Sequence, residues 1–124
     1  MLQDKLFTFT DIVIEEGTLK TNIELNPAHP IFAGHFPDQP ILPGVCMMQI
    51  VKDVLEAYIQ KPTRLVKGLD LKFLAMIIPE QGKLIRLELK AEPMDQQTKV
   101  IAGLFDGATQ LFKFKGIFEE STKN

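Results

Sequence analysis

Several features that would point to a particular class of protein are missing from this sequence. Its 124 residues include one cysteine, Cys46, which excludes an internal disulfide. The two histidines and this cysteine do not have the spacing of a metal site. No apolar run approaches the roughly 20 residues needed to cross a bilayer. The eight glycines form neither a dinucleotide-binding motif nor a P-loop.

An excess of one charge is also missing. The chain has 14 Lys and Arg against 16 Asp and Glu, a net charge of −2, whereas nucleic-acid-binding surfaces are usually strongly basic. Residues 1–5 lack the basic-then-apolar order of a signal peptide. The length and the 45% hydrophobic content suit one core. We therefore predict a single domain over residues 1–124 and a cytoplasmic location.

Alternating apolar and polar residues predict strands on both sides of one helix. The first two strands, Leu6–Glu15 and Leu19–Leu25, form a hairpin around Glu16-Gly17. Four more strands are predicted at residues 65–78, 83–91, 97–105 and 110–119. This order predicts an α+β fold, in which an antiparallel sheet of five to seven strands wraps the helix.

The helix is predicted from Gly44 to about Gln60, because that segment lacks an internal glycine or proline and Lys61-Pro62 follows it. Most of its circumference is apolar. Its polar residues form one narrow stripe: Gln49, Lys52, Asp53, Glu56 and Gln60. A mostly buried helix with one polar stripe is typical of a helix enclosed by a sheet.

The segment before this helix, residues 26–43, contains five of the eight prolines. Proline fixes φ and biases the preceding residue towards extended geometry, so this loop is stiff without a hydrogen-bond ladder. A stiff loop suits a side chain that must be held in place, and His35 is the candidate. The alternative for the loop is that it is simply a long ordered connection outside the sheet. The alternative for His35 is a structural role in which its side chain caps backbone groups.

Residues 34–49 read GHFPDQPILPGVCMMQ. The combination of GHFP, Pro-Ile and Pro-Gly-Val resembles the signature of the β-hydroxyacyl-acyl-carrier-protein dehydratases, the hot-dog-fold enzymes of fatty acid synthesis. The resemblance is sharp from about His29 to Asp53 and looser over residues 68–84. It implies a hot-dog fold with one long helix wrapped by an antiparallel sheet. It also implies a dimer or higher homo-oligomer with the active site at the subunit interface, and no cofactor or metal.

The resemblance assigns roles to three positions. Neutral His35 takes the α-proton of a β-hydroxyacyl thioester. Gly44 supplies a backbone N–H at the helix start that polarises the thioester carbonyl. The third position carries a glutamate or aspartate in the family, and here it is Gln49. An amide cannot donate a proton as a carboxylic acid does, although it can hydrogen-bond a hydroxyl or a water.

Asp53 is the second candidate for the acid, because it lies one helical turn beyond Gln49 on the same stripe. The family commonly has a glutamine at this place, so the amide and the carboxylate look exchanged. The alternative is that Asp53 belongs to an ordinary solvated face. His29 is interpreted as structural or exposed, and Cys46 as a small buried residue and not a nucleophile.

The predicted activity is dehydration of a β-hydroxyacyl thioester on acyl carrier protein to the trans-2-enoyl thioester. Two alternatives stay open: a non-catalytic member that binds acyl thioesters or pairs with an active homologue, and a hot-dog thioesterase that uses Asp53. The carrier protein would be the acidic partner. Its candidate contacts are five lysines, although scattered surface lysines are the simpler interpretation: Lys67, Lys72, Lys99, Lys113 and Lys115.

Overall fold

A computed structural model describes residues 5–34 and 38–121. Within these ranges the chain forms two helices and seven strands. They are β1 (Phe7–Phe9), β2 (Val13–Glu15), β3 (Thr18–Leu25), α1 (Ile31–Gly34), α2 (Gly44–Ile59), β4 (Thr63–Phe73), β5 (Leu84–Met94), β6 (Gln97–Asp106) and β7 (Thr109–Glu120). No helix in the described part of the chain is long and apolar enough to cross a membrane.

The seven strands form one antiparallel sheet in the order β1-β3-β5-β6-β7-β4, and β2 also pairs with β3. The predicted α+β class, with one long helix and an antiparallel sheet, is confirmed. The strand that follows α2 does not join the strands that precede the helix. It crosses to the far side and pairs with β7, so that β4 forms one edge of the sheet and β1 the other.

The first hairpin is confirmed, but its first strand is broken in two. Phe9 pairs with Ile23, and Val13 pairs with Lys20. The chain therefore advances four residues from Phe9 to Val13 while β3 advances only three between their partners. This extra residue is a bulge. Thr10 stabilises the break, because its carbonyl accepts the Thr21 hydroxyl at 2.8 Å and its own hydroxyl accepts the N–H of Asn22 at 3.1 Å. Local alternation cannot reveal such a bulge.

The turn of this hairpin is the one the sequence predicts. Glu16 and Gly17 have φ angles of 49° and 80°. Two successive left-handed residues are typical of the type I′ turn, whose twist matches that of the two flanking strands.

The proline-rich segment differs from the predicted loop, since it includes the one-turn helix α1. Buried Phe32 anchors this turn in the core, with 3% of its surface exposed. His29 begins it: its Nδ1 accepts the N–H of Ile31 at 3.1 Å, and its carbonyl accepts the N–H of Phe32 at 3.1 Å. The structural role interpreted for His29 is therefore observed.

The predicted strand at residues 65–78 ends earlier, at Phe73. The N–H groups of Leu74 and Ala75 both donate to the Leu111 carbonyl, and the Ile77 carbonyl accepts the N–H of Leu42 at 2.8 Å. The chain therefore leaves the sheet after Phe73 and supports the segment that leads into α2. The apolar residues from Leu74 to Ile78 therefore support the segment before α2 and are not part of a strand.

The core lies between α2 and the inner face of the sheet. From α2 it takes six side chains: Cys46, Met47, Ile50, Val51, Val54 and Leu55. From the strands it takes alternate residues, among them Ile23, Leu87, Leu89, Leu104, Phe112 and Phe114. The predicted enclosure of the helix by the sheet is confirmed, except that Val45, counted with its apolar face, is 76% exposed.

Candidate functional site

The N-terminus of α2 is formed by Pro43 and Gly44. Pro43 is the N-cap residue, with extended φ and ψ of −63° and 149°, and no side-chain hydrogen bond among the described residues caps the helix. Its carbonyl accepts the N–H of Cys46 at 3.0 Å. The N–H groups of Gly44 and Val45 precede this first helical bond, and such groups carry the positive end of the helix dipole. This end of α2 therefore suits a carbonyl oxygen that gains negative charge.

The ring of Phe73 packs against Gly44. A Cβ built on Gly44 would lie 2.8 Å from both Cε1 and Cζ of Phe73. The ring also stacks on Phe112, with centroids 5.2 Å apart, and 54% of the residue is exposed. A methyl group at Gly44 would therefore require the Phe73 ring to shift. Sequence reasoning missed Phe73, since only the pairing of β4 with β7 brings it to the helix start.

Gln49 and Asp53 form a pair on the polar stripe. The Nε2 group of Gln49 donates to Oδ1 of Asp53 at 2.6 Å. Gln49 is exposed and Asp53 half-buried. The prediction that these two groups share one helix face is confirmed. Because the amide NH2 has two hydrogens and Asp53 accepts one, the second N–H and the carbonyl oxygen of Gln49 and the second carboxylate oxygen of Asp53 are left for a ligand.

This pair lines one side of a hollow of about 600 Å³. The opposite side is formed by residues 5–9, which include β1. Phe7 and Phe9 of that strand are half-buried, and their rings are 6.4 Å apart. The hollow thus has apolar aromatic surface facing an amide and a carboxylate. Sequence reasoning did not place β1 here, because the contact joins segments about 40 residues apart.

Glu56, the next carboxylate of the stripe, is a structural residue. It accepts the N–H of Thr63 at 2.6 Å and the Thr63 hydroxyl at 3.1 Å, and Lys52 lies 3.2 Å away. Burial disfavours its charged form, but these hydrogen bonds and the lysine outweigh burial and lower the pKa of Glu56. Glu56 thereby ties α2 to the start of β4. Among the described residues Asp53 has a hydrogen bond to Gln49 of its own helix and no such tie to a strand.

Cys46 and His35 are the two remaining residues that the sequence analysis considered for a role in catalysis. Cys46 is 8% exposed, and burial raises the pKa of its thiol, which agrees with a small buried residue and not a nucleophile. His35 lies outside the described residues. Its position relative to Gly44, Gln49 and Asp53 therefore stays a prediction.

Comparison with known proteins places most of the chain in one family. Residues 11–117 match the ApeI-like family, whose description is ApeI dehydratase. An uncharacterised thioester dehydrase of Halalkalibacterium halodurans is 41% identical over 51 residues, which are 40% of this chain and 33% of that protein. A 3-hydroxyacyl-[acyl-carrier-protein] dehydratase FabZ of Histophilus somni is 46% identical over 44 residues, 33% of this chain and 28% of that protein. Each match thus spans a third or less of the curated relative.

A solved structure has the same fold. It is the dehydratase heterocomplex ApeI:P from Xenorhabdus doucetiae, with a TM-score of 0.71 and 18% identity over 91% of this chain and 97% of the other. At that identity the likeness shows the fold alone, and it agrees with the helix and seven-stranded sheet observed here. Because the family match covers residues 11–117, the chain belongs to the ApeI-like dehydratases, a family of hot-dog-fold enzymes.

Proposed function

We propose that the protein dehydrates a β-hydroxyacyl thioester, carried on acyl carrier protein, to the trans-2-enoyl thioester. The observation that supports this function most is the Gln49–Asp53 pair, which lines a hollow in a chain of a dehydratase family. The pair keeps a carboxylate and an amide together where the related dehydratases are expected to have their acid.

In the proposed reaction His35 removes a proton from the α-carbon of the substrate. The electrons of that bond form the new Cα=Cβ double bond while the bond from Cβ to the hydroxyl breaks. The thioester oxygen gains negative charge transiently, and the N–H of Gly44 stabilises it. Asp53 gives the leaving hydroxyl a proton, so that it departs as water, and Gln49 holds the Asp53 carboxyl in place.

We propose that the working unit is a homodimer, or a higher homo-oligomer built from it, with His35 of one subunit facing the Gln49–Asp53 pair of the other. The support is β4, an edge strand whose backbone is unpaired on one side among the described strands. An open edge is a template for pairing with another chain. Its apolar side chains are 36–54% exposed: Leu65, Val66, Leu69, Leu71 and Phe73.

The test is turnover of a 3-hydroxyacyl carrier-protein substrate, with the enoyl product measured by mass spectrometry or absorbance. His35→Ala should abolish the reaction. Asp53→Asn should slow it by about 10²-fold or more if Asp53 is the acid, whereas Gln49→Glu should then bring little gain. Full activity of His35→Ala would overturn the whole site. If Asp53→Asn leaves the turnover rate unchanged and Gln49→Glu raises it, Asp53 is not the acid.

Two other functions have their own support. Gln49 in place of an acid favours a non-catalytic member that binds acyl thioesters or pairs with an active homologue, and the ApeI:P structure shows that a dehydratase of this fold can occur in a heterocomplex. Asp53, which could activate water, favours a thioesterase. Incubation with 3-hydroxyacyl and plain acyl carrier-protein thioesters separates the three functions, through an alkene, a free thiol or no product.

A further inference from the structure

The end of β4 and the chain that follows it touch the start of α2 at two points. At the first, the ring of Phe73 packs so closely on Gly44 that a Cβ built there would lie 2.8 Å from two ring carbons. At the second, the Ile77 carbonyl accepts the N–H of Leu42 at 2.8 Å. The two contacts lie on either side of Pro43, so together they hold the peptide groups that lead into the helix.

The second contact is buried. Leu42 and Ile77 each have 2% of their surface exposed. A backbone amide or carbonyl that is removed from water costs free energy when it is left unpaired. The hydrogen bond between these two residues therefore persists in the folded chain, and the position of Leu42 depends on that of Ile77.

Residues 74–78, which we call the support segment, are themselves fixed to the sheet. The N–H groups of Leu74 and Ala75 both donate to the Leu111 carbonyl, at 2.9 and 3.2 Å. Among the large apolar side chains of the segment, Ile77 is buried in the core, whereas three others are exposed: Leu74, Met76 and Ile78. The burial of Ile77 and the bonds to Leu111 thus determine where the support segment lies.

The N–H of Gly44 depends on this support for its direction. It precedes the first hydrogen bond of the helix, from the N–H of Cys46 to the Pro43 carbonyl. Within residues 5–34 and 38–121 no side chain caps this end by a hydrogen bond, and helix ends fray. A donor that stabilises a developing negative charge has to be fixed in advance, and a misplacement of about 1 Å can cost about 10²-fold in rate.

We propose that Phe73 and Ile77 are positioning residues, which hold the N–H of Gly44 in the direction that stabilises the thioester oxygen. This inference rests on the proposed function, in which that N–H stabilises the charge on the carbonyl. Phe73 acts directly on Gly44 through its ring, and Ile77 acts through Leu42. Neither side chain has a polar group that could take part in the reaction, so the effect of both is on position.

A positioning role has a kinetic signature that a purely structural role lacks. The thioester oxygen is more negative in the transition state than in the bound substrate, so a misdirected donor loses mainly transition-state stabilisation. The result is a lower kcat with a nearly unchanged KM. A substitution that only destabilises the fold leaves the kcat and KM of the folded molecules as they were.

The first experiment compares Ile77→Ala with Leu89→Ala, using a 3-hydroxyacyl pantetheine thioester well below the thermal midpoint of either variant. Leu89 is equally buried but lies beside Tyr58, at the other end of α2. Both changes remove a buried aliphatic side chain, so the two thermal midpoints should fall by similar amounts. We expect Ile77→Ala to lower kcat by about tenfold or more and to keep KM within about twofold. Leu89→Ala should keep kcat within about twofold, and equal kcat losses in both variants would overturn the role of Ile77.

A second change removes the hydrogen bond and keeps every side chain, so the test does not depend on the folding of Ile77→Ala. Replacement of Leu42 by its α-hydroxy analogue, through nonsense suppression, puts an ester oxygen in place of the N–H that Ile77 accepts. This replacement should also lower kcat by about tenfold with KM kept, because the entry to α2 is released. The conservative variant Ile77→Val should retain most of the wild-type kcat. An unchanged kcat after the replacement at Leu42 would contradict the proposal.

Phe73 is tested separately, because it is exposed and its removal should cost less stability than that of Ile77. Phe73→Ala should lower kcat by about threefold to tenfold with little change in KM. Phe105→Ala, at a half-buried ring on the other face of the sheet, is the control and should leave kcat within about twofold. If Phe73→Ala also leaves kcat unchanged, Phe73 is not a positioning residue.

Infrared spectroscopy separates this inference from the proposed function. The probe is a trans-2-enoyl pantetheine thioester with a ¹³C-labelled carbonyl, whose stretching frequency falls when the oxygen accepts a hydrogen bond. Binding to the wild type should lower the frequency, and the shift should be smaller in Ile77→Ala. This difference without any dehydration would keep the positioning residues and overturn the activity. Dehydration with equal shifts in both proteins would do the reverse, and a wild type that does not bind the probe would overturn both.

Discussion

Strands β4 and β5 each have 11 residues in the same sheet, yet their surroundings differ. Along β5, Ile85, Leu87 and Leu89 are buried and the residues between them face outward. Along β4, only Thr63 is buried, and apolar side chains such as Leu71 stay exposed. The reason is position: β5 has β3 on one side and β6 on the other, whereas β4 has β7 on one side only.

The difference between β4 and β5 indicates that the two strands have different roles. The inner face of β5 contributes to a core that a single chain completes by itself. The inner face of β4 carries equally apolar residues that the described chain leaves uncovered. On its outer face Arg64 is paired with Glu119, whereas Lys67 and Lys72 have no ion pair with a described carboxylate. We infer that β5 stabilises the fold while β4 serves assembly and binding, and the following changes test this division.

The largest effect is expected in β5. Leu87→Ala removes a side chain with 0% exposure, and it should lower the free energy of unfolding by about 2–5 kcal/mol, because it leaves a cavity. The matched change in β4 is Leu71→Ala, at 36% exposure, and its cost should be well below that of Leu87→Ala. Urea unfolding at one fixed protein concentration measures both, since self-association also affects stability.

A smaller loss is expected where β4 touches α2. Gly44→Ala places a methyl group 2.8 Å from the ring of Phe73, and overpacking of this kind costs about 1–3 kcal/mol. Gly34→Ala is the control, because no atom lies within 4 Å of a Cβ built there.

The same site allows a double-mutant cycle. If the ring causes the loss, Gly44→Ala should cost much less in a Phe73→Ala background. Equal costs in both backgrounds would show that the ring is not the obstacle at Gly44.

The open edge of β4 is the next target. Leu69→Lys puts a charge on a strand edge where Leu69 is 42% exposed. The dissociation constant of the proposed dimer should rise by about tenfold or more, equivalent to about 1.4 kcal/mol, and sedimentation velocity measures it. Leu84→Lys, at 49% exposure in β5, is the control and should leave self-association unchanged. A wild-type chain that stays a folded monomer at micromolar concentration would refute the dimer itself.

The smallest effect is expected at the other end of α2. Glu56→Gln keeps the shape but removes the charge that accepts hydrogen bonds from Thr63, and it should cost about 1 kcal/mol at neutral pH. Because folding lowers the pKa of Glu56, this stability is present above the unfolded pKa of about 4.3. It is lost as the pH falls through the lower folded pKa.

Thermal unfolding from pH 7 to pH 3 therefore should show the wild type and Glu56→Gln converging in acid. Glu92→Gln, at an exposed carboxylate of β5, should differ little from the wild type at any of these pH values. A gap between wild type and Glu56→Gln that persists at pH 3 would contradict the assigned role of the Glu56 charge.

Local patterns in the sequence determined much of this protein. The alternation along Leu84–Met94, the left-handed pair Glu16-Gly17 and the helix that begins at Gly44 all depend on residues close together in the chain. The spacing of Gln49 and Asp53 likewise follows from helical periodicity, and the structure shows these two side chains hydrogen-bonded.

Tertiary structure decided the features that depend on register between distant strands. The bulge at Thr10, the end of β4 at Phe73 and the contact of Phe73 with Gly44 all require partners far away in the sequence. Lys67 and Lys99 lie on either side of Ile117 only because β5, β6 and β7 separate β4 from β3 in the sheet, so that β4 pairs with β7. A periodic pattern states which residues share a face of one strand, but the pairing of strands determines which faces lie side by side.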